Sequence, residues 1–289
     1  MKVLVIIVSY NFERWINRCL GSLRKSSHPI DVMVIDNGSK DRSVDIIKND
    51  FPEVRLVETG KNLGFGRANN IGLKFALDEG YDFAFLLNQD AWIDDNTIEI
   101  LVKTAQIHPE YGILSPVHLD GKGDNLDFGF HTYSGQSDKE SCMSDQRETV
   151  ELPFVNAAFW MLPRKTMETI GGFSPLFYHY GEDIDYVNRV KYQGLKIAYL
   201  PKIAGYHDRA KRPKPVGEAF YYSEFVYHLS EYANVNYSFV KAFAYGPLAC
   251  IKKIPQGKGY ISVWWKLIQK TAFVIKTRRI NQHKLNNHL

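Results

Sequence analysis

Two stretches of this 289-residue chain hold side chains suited to metal or acid–base chemistry. The first is Asn88-Gln89-Asp90, which follows the apolar and aromatic residues 83–87. A hydrophobic core does not accept Asn and Asp unpaired. A buried strand stopping at a polar-x-Asp triplet therefore brings those groups to the edge of a sheet. An aspartate there can hold a divalent cation beneath the phosphates of a nucleotide. Asp and Asn are also ordinary turn residues. The second stretch is Gly181-Glu182-Asp183-Ile184-Asp185, with three carboxylates in four residues. Acidic residues in a first helical turn are favoured by the helix dipole. The same dipole holds a carboxylate ionised and able to take a proton as a general base. On these residues alone, both readings stand at both places.

The elements that must position these groups alternate. Residues 3–8 are a continuous apolar run, the pattern of a strand buried on both faces. Trp15, Ile16, Cys19, Leu20 and Leu23 recur at helical spacing. Residues 31–35 and 54–57 predict two more strands, with a helix between them capped at Ser39 or Asp41. A loop at 62–67 opens a helix through Leu77, and the strand 83–87 follows. This predicts an α/β fold of βαβ units with a mainly parallel sheet. Ligands of such sheets bind at the carboxyl ends of strands, where Ser9, Asp36, Asn62 and Asp90 converge. Beyond it we expect a helix at 96–106 and a strand at 111–117. Residues 119–151, polar and without period, read as an insertion or substrate loop. A strand at 153–162 carries a polar break at Asn156. A helix at 164–170 is closed by Gly171-Gly172, one at 183–193 is stopped by Gly194, and a strand at 196–200 leads to His207.

The chain is 45% hydrophobic and 24% charged, enough for a substantial core. Its three cysteines lie far apart, which suggests neither a disulfide framework nor a zinc knuckle. The apolar run at the start is too short for a signal peptide or a membrane span, so we expect a cytoplasmic protein. The net charge of +4 is uneven: from Gly217 onward ten Lys/Arg face three Asp/Glu. Aromatic residues between Tyr221 and Phe239 read mostly as core. Trp264 to Arg279 mixes apolar and basic residues, as in a helix lying on a membrane surface or on a solvated face. Removing residues 262–289 is expected to weaken liposome binding without touching the site at the sheet edge. No nucleic-acid-binding module is present. Gly64-Phe65-Gly66 does not make a dinucleotide fingerprint, because Asn69 stands in the third glycine's place and the loop follows the third strand.

Residues 5–11 (Val-Ile-Ile-Val-Ser-Tyr-Asn), 34–39 (Val-Ile-Asp-Asn-Gly-Ser) and 62–66 (Asn-Leu-Gly-Phe-Gly) with Asn69 resemble the nucleotide-binding half of family 2 glycosyltransferases of the GT-A fold. Asn88-Gln89-Asp90 falls where that family carries its D-x-D motif, and bacterial rhamnosyltransferase-like members are similar there. Gly171-Gly172-Phe173, residues 181–185 and Arg189 look like its acceptor and base segment. The resemblance spans about residues 1–210. It implies inverting transfer of a sugar from a UDP- or dTDP-sugar to a glycan or lipid-linked glycan, in bacterial surface polysaccharide synthesis. It implies Asp183 as base with Glu182 beside it, and Asp90 as the main ligand of Mg²⁺ or Mn²⁺. His207 would be a further metal ligand, or simply a satisfied histidine. Ser9, Tyr10 and Asn11 would line the nucleoside pocket and Asp36 would contact the base. Asn62, Gly64, Arg67 and Asn88 would complete the donor set, and Asn156, Trp160 and Asp185 would face the acceptor. It implies a catalytic domain at 1–216, divided near 117/118 into nucleotide and acceptor halves, and a helical, basic, aromatic-rich region at 217–289. That region could attach the protein peripherally to the inner face of the membrane. Asn88 departs from the motif and brings no charge. A catalytically silent binding protein of the same fold is the competing reading.

Overall fold

The computed structural model describes residues 1–209, 214–282 and 288–289. The parts of the expected 1–216 and 217–289 divisions at 210–213 and 283–287 lie outside the described residues. The first apolar run forms β1 (Val3–Ser9), with Leu4 and Ile6 in one hydrophobic layer and Val3, Val5 and Ile7 in the other. That alternation is the two-residue period of a strand covered on both faces. α1 (Ile16–Leu23), α2 (Ser43–Asp50) and α3 (Phe65–Asp78) connect β1 to β2 (Asp31–Asp36), β3 (Arg55–Glu58) and β4 (Phe83–Leu87). The four strands pair in parallel in the order β3-β2-β1-β4. Ala68, Leu73 and Ala76 of α3 fill one layer, and Ile16 and Leu20 of α1 the other.

β5 (Ala91–Ile93), α4 (Thr97–Ile107) and β6 (Tyr111–Asp120) come next. α5 (Phe128–Ser134), α6 (Lys139–Met143), β7 (Val150–Glu151), β8 (Phe159–Pro163) and α7 (Arg164–Ile170) follow. α8 (Glu182–Tyr192) and β9 (Lys196–His207) complete this part. β8 lies antiparallel between β4 and β6, and β9 runs parallel to β6. β5 and β7 pair antiparallel with β9. The one sheet is therefore mixed, with parallel residue pairs in the majority. The expected divide at 117/118 falls inside β6, so the two halves share one sheet and have no seam there.

Several boundaries differ from expectation for local reasons. Residues 119–151 hold two short helices and a strand. α5 exists because Asp127 accepts hydrogen bonds from the Gly129 and Phe130 amides, an N-cap that stabilises a helix too short to show a period. Only Phe159 onward of residues 153–162 is strand. α2 starts at Ser43, because the Ser39 hydroxyl turns to Asp36 and Asp41 accepts from the Ser43 amide without being the N-cap.

The chain ends in α9 (Gly217–Ala233), α10 (Phe239–Phe243), a π-helical turn at 244–248, α11 (Ala249–Lys253), α12 (Gly259–Gln269) and α13 (Thr271–Gln282). Leu229, Tyr232, Leu267 and Val274 pack with Leu176 and Phe177, fastening this region to the segment before α8. Tyr221 and Phe225 are partly buried, whereas Tyr222, Tyr227 and Phe239 are exposed, so fewer of these aromatic residues are core than expected. Removing residues 262–289 would take Leu267 and Val274 out of this core, so that truncation would disturb the fold. Among the described residues, no helix is long and apolar enough to cross a membrane.

Candidate active site

A cleft of about 1050 Å³ opens at the carboxyl edge of the sheet. Asn88 and Asp90 enter it from the β4–β5 turn, His207 and Arg209 from the end of β9, and Glu182 and Asp183 from the start of α8. Asn156 reaches it from the loop before β8. The two stretches singled out in the sequence, some 90 residues apart, therefore face one space.

Asp90 lies 3.3 Å from His207 Nε2, and the Asn88 amide nitrogen lies 3.4 Å from the same atom. On its other side the buried His207 ring places Nδ1 3.6 Å from Asp127 Oδ2. Asp127 receives Arg209 through both Nε (2.7 Å) and Nη2 (2.6 Å), the two-pronged geometry a guanidinium offers a carboxylate. Burial pushes the Asp90 carboxyl up, but His207 and then Arg209 outweigh it and hold it below the usual range. Burial likewise opposes ionisation of Asp127, and Arg209 overcomes it. Both carboxylates thus stay charged in a half-enclosed site. Among the described residues, no three His, Cys, Asp or Glu side chains gather as a ready metal cluster. Asp90 and His207, with the Asn88 amide beside them, suit a cation that takes its remaining oxygens from a diphosphate.

The acidic pair at the head of α8 behaves differently. Gly181 enters the helix at φ +87°, where a side chain would be strained and would meet Phe177 and Val226. Glu182 is buried, and its Oε2 has no hydrogen-bond partner. Asp183 is half-buried and accepts the Ile184 amide at 2.8 Å. Burial raises the Asp183 carboxyl to about 6. Burial, and then the charge of Asp183, raise Glu182 to about 7. Carboxylates poised near neutrality can both take and return a proton. Tyr180, just before them, holds φ +68°, the kind of backbone strain found where a loop is built to present a side chain.

Apart from Asn88, the expected nucleotide residues sit along the same edge, outside the cleft lining. Ser9 and Asp36 are buried. Asp36 accepts from the Gly38 and Ser39 amides and from the Ser9 and Ser39 hydroxyls. Those four bonds take up its lone-pair positions, so Asp36 shapes its own loop, and direct contact with a base would require that loop to open. Asn11 adopts φ +53°, which asparagine tolerates, and its side chain accepts the Lys40 amide. Gln89 grips the Tyr10 backbone, accepting from its N–H (2.7 Å) and donating to its C=O (3.2 Å). Asn62 accepts from Asn37 and from the Gly64 amide. At Gly64 a Cβ would lie 2.3 Å from the Tyr178 carbonyl oxygen, so only glycine permits this approach of the two loops. Arg67 is exposed in the first turn of α3.

Two expected acceptor residues are structural. Trp160 is fully buried, donates to the Val155 carbonyl and stacks on Phe173. Asp185 is buried in an ion pair with Arg189 at 2.8 Å, and that guanidinium also donates to the Ile170 and Gly172 carbonyls. Replacing Trp160 by alanine should cost roughly 3–5 kcal/mol in urea denaturation while leaving the acceptor KM of the folded protein unchanged. A raised KM at full stability would return Trp160 to the acceptor site. Asn156 does reach the cleft, and its Oδ1 is unpartnered. Asp127, Arg209 and Gln89 were not anticipated as site residues.

The model of glycosyl transferase family 2 matches residues 4–171. The chain belongs to that family. A second family model, described as the N-terminal domain of galactosyltransferase, matches residues 154–212. This family 2 glycosyltransferase is 27% identical over 232 residues to the N-acetylglucosaminyl-diphospho-decaprenol L-rhamnosyltransferase of Mycobacterium tuberculosis, covering 71% of this chain and 76% of that one. It is 22% identical over 211 residues to a low-salt glycan biosynthesis hexosyltransferase of Haloferax volcanii, covering 71% and 66%. Its fold matches residues 1–349 of S. aureus TarS in complex with UDP-GlcNAc at a TM-score of 0.61 and 16% identity, over 98% of this chain and 88% of that one.

Proposed function

We propose that this glycosyltransferase moves a sugar, with inversion, from a nucleoside-diphosphate donor to a hydroxyl of a glycan or lipid-linked glycan. The carrying observation is that the raised pair Glu182/Asp183 and the ionised Asp90 beside His207 line one cleft. The M. tuberculosis relative is named for a lipid-diphosphate-linked acceptor and the TarS structure holds UDP-GlcNAc, which supports both substrate classes. The intact acidic set weighs against a silent binding protein.

In the reaction we propose, Asp183 accepts the proton of the acceptor hydroxyl while its oxygen attacks the anomeric carbon from the face opposite the diphosphate. The carbon–oxygen bond to the diphosphate breaks with its electron pair remaining on the leaving group. Glu182, raised further than Asp183, holds a proton near neutrality and hydrogen-bonds the acceptor or sugar. Asp90 and His207 would hold Mg²⁺ or Mn²⁺, which supplies charge neutralisation for the diphosphate when bound. Arg209, fixed by Asp127, adds positive charge to the same wall. The loops of Tyr10, Asn11 and Asn62, ordered by Asp36 and Gln89, enclose the nucleoside, with Arg67 at their rim. Residues 1–216 would carry catalysis and 217–289 would form the accessory helical region. Three buried free cysteines suit a cytoplasmic setting.

A thermal-shift series with UDP-, dTDP- and GDP-sugars, with and without Mn²⁺, tests the reading. A ligand at 100 times its Kd adds about 2.7 kcal/mol, so the true donor class should raise Tm by several degrees. Stabilisation by none of them would sink the proposal.

A further inference from the structure

The accessory helices carry a surface that sugar transfer does not explain. From Tyr232 to the last residue there are ten Lys/Arg and no Asp or Glu. Among the described residues, ten of the nineteen exposed large hydrophobic side chains lie between Tyr222 and Phe273, less than a fifth of the chain. On α12, Tyr260, Val263 and Leu267 point inward at helical spacing and are buried. The opposite face centres on Ile261 and Trp265, 51% and 54% exposed, with Lys266 beside them. α11 packs against α12, and the Cys250 thiol donates to the Tyr260 carbonyl. Its outward side continues from the π-helical turn as Tyr245, Leu248 and Ile251, with Lys252 beside them. Lys241 sets its ammonium over the Tyr237 and Tyr245 rings, 4.4 and 5.6 Å from their centroids. Of this segment's described lysines, only Lys253 is ion-paired, to Glu224.

We propose that the outward faces of α11 and α12 dock on an anionic bilayer surface, with Ile261, Trp265, Leu248 and Ile251 entering the headgroup boundary and the surrounding lysines meeting lipid phosphates. Three features favour this occupant. The charge is of one sign without exception after Glu231, which complements acidic lipid and would repel a second copy of the same face. A tryptophan centred between aliphatic and basic residues is the composition of a membrane interface. The inward faces are already satisfied by the core with Leu176 and Phe177, so the outward apolar groups are surplus to folding. The surface does not depend on the proposed chemistry, and its test needs no substrate.

The full-length protein is sedimented with vesicles of phosphatidylcholine alone or with about 30% phosphatidylglycerol. It should partition onto the acidic vesicles, with the tryptophan emission shifted to the blue, and stay in solution with the neutral ones. Ile261→Ser/Trp265→Ser should reduce the partition coefficient at least about tenfold with Tm unchanged. Lys266→Gln/Lys270→Gln should reduce it through the charge alone, in a salt-sensitive way. Trp265→Phe should retain most of it. Failure of the wild-type protein to bind acidic vesicles at low salt overturns the proposal. So does binding that survives both double variants, or a dimer in analytical ultracentrifugation that Ile261→Ser/Trp265→Ser dissolves.

Discussion

Asp183→Asn is expected to lower kcat/KM for sugar transfer by a factor on the order of 10²–10⁴, with nucleotide-induced thermal stabilisation preserved. The asparagine keeps the shape and the hydrogen bond from the Ile184 amide but cannot take a proton. The pH profile sharpens the test. In the free protein Asp183 titrates at about 6 and its neighbour Glu182 at about 7. As an adjacent pair they release protons in two macroscopic steps. On the acid side kcat/KM should therefore fall as pH drops through about 6, where Asp183 takes up a proton while Glu182 keeps its own, and the residual activity of Asp183→Asn should lose that limb. Stability runs the opposite way. Both carboxyls are raised from ordinary values of 3.8 and 4.5, so between roughly pH 4 and 7 the folded state binds more protons than the unfolded chain. Their contribution is present in full below pH 4 and is lost as pH rises through 6 and 7. Asp183→Asn should consequently melt higher than the wild type at pH 8, with the gap closing toward pH 4. An asparagine variant with an unchanged pH profile, or with lower stability at pH 8, would remove Asp183 from the role of base.

The sequence made the parallel half of the sheet legible, because β1, β2 and β4 carry apolar runs whose two faces must both be covered, and the helices between them show plain periodicity. It also located both acidic stretches. It did not tell which way each side chain turns. Asp185 stands two residues from Asp183, about 200° around α8, so nearness in sequence put it on the inward side with Arg189. Trp160 occupies the core-facing position of β8, where strand alternation decides and motif position does not. The Asp127–Arg209 pair was hidden for another reason: its partners are 82 residues apart, and α5, which presents Asp127, is only seven residues long. Asp36 was correctly placed at a strand end. Its four hydrogen bonds, however, are a property of the folded turn, and no pattern of residue types discloses them.

The donor end should show the second large effect. Asp90→Ala is expected to weaken Mn²⁺ binding to the nucleotide-loaded protein by about 10²-fold or more and to remove metal-stimulated transfer. Of the two carboxylates beside the His207 ring among the described residues, Asp90 at Nε2 is free of a guanidinium, whereas Asp127 at Nδ1 is held by Arg209. Two protein ligands leave a cation dependent on phosphate oxygens, so the wild-type protein should bind Mn²⁺ weakly alone and much more tightly with UDP or dTDP present. Asn88 is the decisive comparison. Its amide nitrogen lies 3.4 Å from His207 Nε2, beside the atom a cation would use, and it brings no charge. Asn88→Asp adds a carboxylate and removes that amide donor. It should raise Mn²⁺ affinity in the absence of nucleotide and narrow the gap between nucleotide-free and nucleotide-bound states. Titrating Mn²⁺ by electron paramagnetic resonance, with and without UDP or dTDP, reads each variant without any assay of turnover. If Asp90→Ala binds Mn²⁺–nucleotide as the wild type does, the cation is held elsewhere. If the wild type binds Mn²⁺ as tightly without nucleotide as with it, the donor phosphates are not completing the site, and the role assigned to Asn88 fails with them.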